Sequence, residues 1–217
     1  MCWFTGKIMS LCYQDNSNTM TEMPPLETTR LIIRPFAMDD LVAVHRLFDQ
    51  ELSADDLRTE KMESMPARAE WLQWSVLNYR QLAMLYQPPY GDRAIVIKQT
   101  GQLIGSCGYV PCLMPFEQLP NFSYYNAAGK LGRSTPEFGL FYAISPAHRR
   151  QGYATEAAQA LVDYAFRRLH LKRVVATTDY DNLGSLGVMR KLGMRIEKNP
   201  RPEPPWLQVV GVVESNT

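Results

Sequence analysis

At 217 residues, with 46% hydrophobic and 21% charged side chains, the chain is sized for one domain with short appendages and has ample apolar material for a core. A net charge of +1 gives no electrostatic case for nucleic acid as a partner, and no apolar run approaches the ~18 residues a membrane span needs. The four cysteines (Cys2, Cys12, Cys107, Cys112) and three histidines (His45, His148, His170) fall in no metal-ligand spacing, so free thiols, a reducing cytoplasmic setting and no bound metal are expected.

Residues 1–26 are polar and aperiodic and lack the pattern of a signal peptide; a flexible tail is expected there, with one folded domain over 27–214. The first strand is read at 28–35, where β-branched residues end at Pro35. Asp39 and Asp40 then open a helical pattern through Phe48. Ser64-Met65-Pro66 reads as a cap followed by a first-turn proline, starting a long helix to about residue 86. Trp71, Trp74, Leu77, Leu82 and Leu85 are expected to supply its core face.

Pro88-Pro89-Tyr90-Gly91 breaks that helix, and strands follow at 93–98 and 103–110. Gly105 and Gly108 inside the second of these signal a bulge or a close backbone approach. Residues 111–136, with Phe116, Phe122, Tyr124 and Tyr125, are too long for a plain connection and are expected to form a substrate-side loop or lid. A fourth strand at 137–144 leads through Arg149-Arg150-Gln151-Gly152-Tyr153-Ala154 into a helix with Ala154, Ala157, Ala158, Leu161, Val162, Ala165, Phe166 and Leu169 on one face. A basic, glycine-containing turn at a helix N-terminus offers backbone N–H groups to phosphate. A fifth strand at 172–178, a short helix opened by Asn182 and stopped by Arg190-Lys191-Leu192-Gly193, and strands at 194–198 and 206–213 complete the chain.

This order, with Ile144-Ser145-Pro146-x-x-Arg149-x-x-Gly152-Tyr153-Ala154-Thr155-Glu156-Ala157, Asn182-x-x-Ser185 and the opening Leu26-Glu27-Thr28-x-Arg30-Leu31-x-Ile33-Arg34, resembles the GNAT superfamily of N-acetyltransferases. Within it, the chain is similar to the group acetylating ribosomal-protein N-termini at alanine or serine. The resemblance spans about residues 27–214 and implies an α/β (α+β) fold: a mixed, mostly antiparallel sheet of about seven strands, about four helices, and a splay between the fourth and fifth strands.

It also implies acetyl-CoA as co-substrate and a primary amine as acceptor, a protein N-terminus or a small molecule. Backbone groups of Arg149, Arg150, Gln151, Gly152, Tyr153, Ala154 and Thr155 would receive the pyrophosphate. Tyr142, Ala143 and Ile144 would pair with the pantetheine arm as an added strand. Asn182 would bond that arm, and Ser185 would lie near the sulfur. Many relatives carry glycine where Arg150 stands, so Arg150 is expected to tighten the turn or to add bonds to phosphate.

The chemistry is less conventional. The tyrosine acid of some relatives is Met189 here, and their fifth-strand glutamate is Thr177. Glu137 is therefore the nominated base, Ser185 the group that assists thiolate departure, and a bulge in the fourth strand the source of a carbonyl-polarising N–H. A weak base suits an α-amine, about one-seventh neutral at pH 7, better than lysine, neutral about once in 2,500. The competing readings are an antibiotic or polyamine acetyltransferase and a non-catalytic acyl-CoA-binding protein. Either a monomer or a homodimer fits.

Overall fold

A computed structural model describes residues 22–53, 61–62, 64–120, 122, 134–201 and 203–215. Its strands are β1 (Leu26–Glu27), β2 (Leu31–Pro35), β3 (Gly91–Ile97), β4 (Leu103–Met114), β5 (Thr135–Ile144), β6 (Arg173–Thr178), β7 (Arg195–Lys198) and β8 (Val209–Glu214). They form one sheet in the order β1-β2-β3-β4-β5-β6-β8-β7, antiparallel at every pair except β5–β6. Among the described residues the α-helices are α1 (Leu41–His45), α2 (Met65–Met84), α3 (Tyr153–Arg167) and α4 (Leu183–Lys191). A π-helical turn, Arg46–Glu51, continues α1. The expected α/β architecture is present, with the two-residue β1 as an eighth strand.

The packed chain begins earlier than residue 27. Met23 is buried, and the fully buried Arg93 of β3 donates to the carbonyls of Met23 and Pro24, the latter at 2.7 Å. The rest of the expected tail, residues 1–21, lies outside the described residues. The expected loop also shrinks. β4 runs to Met114, a 3-10 turn covers Phe116–Gln118, and β5 starts at Thr135. Phe116 and Phe122 stack at 5.2 Å and are buried with Cys112, Leu119 and Val210; Tyr124 and Tyr125 lie outside the described residues.

α2 is capped as expected, Ser64 Oγ accepting from the Ala67 amide, but it faces the sheet with other residues. Arg68, Leu72, Ser75 and Tyr79 are buried, whereas Trp74, Leu77 and Leu85 are exposed. The rotation follows from polar partners. Arg68 is bonded by both oxygens of Asp49, at 2.6 and 2.9 Å, and Tyr79 lies 5.3 Å from the Arg93 guanidinium. An apolar count cannot foresee that two arginines orient a helix.

α3 buries the expected stripe of Ala157, Ala158, Leu161, Val162 and Ala165 against β2, β4 and β5. Its small residues let the helix approach closely enough for the Tyr109 hydroxyl to donate to the Leu161 carbonyl at 2.5 Å. β5 keeps unbroken register with β4 from Thr135 to Ile144, so the expected bulge is absent from it. The irregularity lies one pair over, where β3 and β4 shift between Ile95 and Val96 opposite Gly105 and Leu103.

Candidate active site

Sheet order decides where the molecule opens. β5 is fully paired with β4 on one side, but with β6 it shares a single residue pair, Gly139 with Val175. Beyond Gly139 the two strands part, and the β6-facing backbone edge of residues 140–144 is left without a strand partner. α4 sits at the opening, where the Tyr142 hydroxyl donates to the Ser185 carbonyl at 3.2 Å.

A groove of about 560 Å³ runs from this opening between α4 and the first turn of α3. Tyr142, Ala143, Ile144, Arg149, Arg150, Gly152, Tyr153, Ala154, Thr155, Asn182 and Ser185 all line it, with His148 and Lys191. Of the residues expected to hold a cofactor, only Gln151 is turned away, its carbonyl accepting from Arg30 at 3.0 Å. α3 begins at Gly152 (φ 86°) with no side chain capping its first amides. Such uncapped N–H groups at the positive end of a helix suit an anion. Arg150 occupies the left-handed region at φ 60°, the conformation glycine would take without strain. Its exposed side chain makes no bond among the described residues, whereas the Arg149 guanidinium is held by the Ile144 carbonyl.

A latch fixes this turn. Glu156 of α3 accepts from Thr28 Oγ1 (2.6 Å), the Arg30 amide (2.8 Å) and Arg30 Nε (2.7 Å), while the Arg30 guanidinium lies 4.4 Å from the Tyr153 ring. The latch gives a physical reason for the Thr28-x-Arg30 and Glu156 positions. Burial raises the Glu156 pKa, but the hydrogen bonds from Thr28 and Arg30 outweigh it and hold the carboxyl below its ordinary value. The stabilisation is therefore complete above the unfolded pKa near 4.5 and lost as pH falls through the lower folded value. Glu156→Gln is expected to lose about 1–2 kcal/mol at pH 7 in urea unfolding, with the difference from wild type shrinking below pH ~4.5.

A second cavity, about 390 Å³, opens on the α1–α2 side and meets the groove at Tyr142, Ala143, Asn182 and Ser185. One wall is aromatic: Phe48 and Trp71 pack edge-on at 5.2 Å, with the Arg68 guanidinium 4.9 Å from the Trp71 ring. The others include Phe141, Cys112, Met114, Thr177 and the carboxylate of Asp92. Asn182 Oδ1 accepts from the Ser185 amide, so Asn182 is the α4 cap. The Ser185 hydroxyl, half-buried where the two spaces join, makes no hydrogen bond among the described residues.

Two expected chemical positions stand apart. Met189 is buried in the core beneath α4 and lines neither cavity. Glu137, expected as the base, lies on β5 about 16 Å of strand before Tyr142 and lines neither cavity. Both its oxygens are taken by Arg173 of β6, Nε at 2.7 Å and Nη2 in a still closer contact, and Arg173 lies 4.8 Å from the Phe122 ring. That ion pair ties β5 to β6 rather than addressing a substrate.

The carboxylate that does face the second cavity is Asp92, which the sequence did not single out. One of its oxygens accepts from Ser106 Oγ at 2.9 Å; the other has no partner among the described residues. Burial pushes its pKa up to about 6, against smaller opposing effects of the Ser106 hydrogen bond and the Arg68 charge. An acid at the second position of an apolar strand was the available signal. Among the described residues there is no group of three or more His, Cys, Asp or Glu side chains that could hold a metal, and no helix long and apolar enough to cross a membrane. Burial raises both described thiols, Cys112 to about 11, and both are unpaired.

A groove at an uncapped helix N-terminus and a separate cavity thus meet in the parted sheet, and comparison with known proteins identifies the class of enzyme. The GNAT acetyltransferase domain matches residues 30–195. Over 175 residues the chain is 31% identical to the uncharacterized N-acetyltransferase YoaA of Bacillus subtilis (strain 168), covering 80% of this chain and 84% of that protein. A 66-residue stretch is 42% identical to YnaD of the same organism, covering 30% of this chain and 38% of that one. Among solved structures it is similar to an acetyltransferase from Agrobacterium tumefaciens str. C58, with TM-score 0.63, 23% identity and coverage of 93% and 99%. It is also similar to RimL, a ribosomal L7/L12 α-N-protein acetyltransferase in complex with coenzyme A, with TM-score 0.56, 16% identity and coverage of 85% and 93%. The chain belongs to the GNAT family and is an acyltransferase.

Proposed function

We propose that the protein moves the acetyl group of acetyl-CoA onto a primary amine, a protein N-terminus or a small molecule. The observation that carries this reading is the junction of groove and cavity at Tyr142, Ala143, Asn182 and Ser185. The groove suits the donor: uncapped α3 amides and Arg150 face the pyrophosphate, and the free β5 edge receives the pantetheine amides. The RimL structure holding coenzyme A supports the same use of the fold. The cavity suits the acceptor, with aromatic walls for its body and a carboxylate for its cation.

Ser185 is the proposed aid to thiolate departure, since its hydroxyl sits where the two spaces meet. Burial pushes the Tyr142 phenol up to about 12, so it is neutral at pH 7 and contributes its bond to the Ser185 carbonyl. A protein N-terminus is the favoured acceptor, because a base titrating near 6 reaches an α-amine more readily than lysine. The buried free thiols accord with a cytoplasmic setting.

Thiol release from acetyl-CoA, measured with peptides bearing N-terminal serine or alanine, spermidine and an aminoglycoside, tests the reading. Preferred turnover of the peptides is expected. A preference of tenfold or more for spermidine or the aminoglycoside moves the acceptor to the small-molecule class. Tight coenzyme A binding without turnover of any of them overturns amine transfer.

A further inference from the structure

The cavity wall poses a chemical question that the donor groove does not answer: what takes the proton from the amine. Glu137 is held by Arg173, Met189 is in the core, and Thr177 carries no ionisable group. We propose that Asp92 is the catalytic base, binding the acceptor's ammonium through its unpartnered oxygen in the aromatic-walled cavity and accepting its proton before attack. The assignment rests on the donor-and-acceptor reading above.

The position is built for this. Asp92 faces the side of the sheet that Ala94 and Val96 share with Phe36, Phe48 and Trp71, and it stands at the Gly91–Asp92 end of β3 where that apolar wall gives way to the cavity. Ser106, fully buried on β4, holds one carboxylate oxygen; the other has no partner among the described residues, and the side chain lines the cavity. The charged and titratable groups coupled to it are few. On α2, Arg68 lowers its pKa and is itself fixed by Asp49, which His45 also contacts. Asp92 in turn raises Tyr79 of α2 and Cys107 of β4, both kept protonated by burial. Of the β5 residues lining the cavity, Leu140, Phe141 and Ala143 carry no charge, and burial keeps the Tyr142 phenol protonated.

The steps balance. The ammonium gives one proton to the Asp92 carboxylate and becomes a free amine. Its nitrogen forms a bond to the thioester carbonyl carbon, and the carbon–sulfur bond breaks. The second nitrogen-bound proton passes to the departing thiolate, giving amide and coenzyme A thiol, and Asp92 returns its proton to water through the cavity. With an acid near 6, the first transfer is uphill by a factor of about 60 for an α-amine and about 25,000 for lysine. Weakly basic amines are therefore the natural acceptors.

The test uses the full chain as wild type, Asp92→Asn, Asp92→Glu and Ser106→Ala, with coenzyme A, a hexapeptide with free N-terminal serine, and benzylamine as probes. Wild-type kcat/KM is expected to be bell-shaped, rising as Asp92 ionises near pH 6 and falling as the ammonium deprotonates. Asp92→Asn is expected to lose at least about 100-fold in kcat and the acidic limb, with coenzyme A affinity within about threefold by calorimetry; Asp92→Glu should recover at least about a tenth of the rate. Ser106→Ala removes a bond to the ionised form, so its acidic limb moves to higher pH. Asp92→Asn with kcat within about threefold of wild type, a persistent acidic limb in that variant, or an unshifted limb in Ser106→Ala overturns the proposal. So does a wild type that binds coenzyme A but acetylates neither amine. If wild type fails to bind coenzyme A, the donor groove is wrong, and Asp92 loses its role with it.

Discussion

Gly152→Val is expected to weaken coenzyme A binding by at least about 100-fold in calorimetry, equivalent to about 2.7 kcal/mol. Gly152 caps α3 at φ 86°, a region a β-branched residue enters only with strain. A Cβ there would also lie 3.3 Å from Arg30 Nη2, pressing on the guanidinium whose other nitrogens bond the Gln151 carbonyl and Glu156. Both effects bear on the first-turn amides that face the groove. Unchanged affinity would remove the turn from the donor site. Loss of affinity with an unchanged unfolding midpoint would show that the effect is local.

Gly108→Ala is expected to destabilise the fold by more than about 4 kcal/mol, read as a fall in urea midpoint. The added Cβ would sit 1.9 Å from the Gly91 carbonyl oxygen and 3.0 Å from Phe141 Cε1. The first of these is backbone, so no side-chain rotation relieves the contact, and β3 must part from β4. Gly108 is the register partner of Asp92. Any variant that remains folded should therefore also lose turnover. An unfolding free energy within about 1 kcal/mol of wild type would refute the close approach.

Local pattern carried much of this. The stripe Ala157, Ala158, Leu161, Val162 and Ala165 repeats with the helical period, so α3 and its turn were legible, as was the Ser64 cap. Gly105 and Gly108 announced close backbone approaches, which prove to be to β5 at Ala143 and to β3 at Gly91. What escaped depends on distant partners. Trp74 and Leu77 looked like core, yet Arg68 and Tyr79 took the inner face because Asp49 and Arg93 wait there. Glu137 and Arg173 are 36 positions apart, and nothing short-range distinguishes a paired carboxylate from a reactive one. Asp92 stayed hidden for the same reason, since its partner oxygen and the cavity beside it exist only once β3, β4 and α2 are assembled.

The single backbone pair between β5 and β6 has a kinetic meaning. On the proposed reading each substrate has its own entrance, and the two meet at the four residues the spaces share. The acetyl group can cross directly inside a ternary complex, with no acyl-enzyme stage, so double-reciprocal plots for the two substrates should intersect rather than run parallel. A coenzyme A thiol covalently joined to an amine would enter as one molecule and engage both halves, replacing a second bimolecular encounter by a high effective concentration. The parted sheet is thus a scaffold for bisubstrate inhibition as much as for turnover.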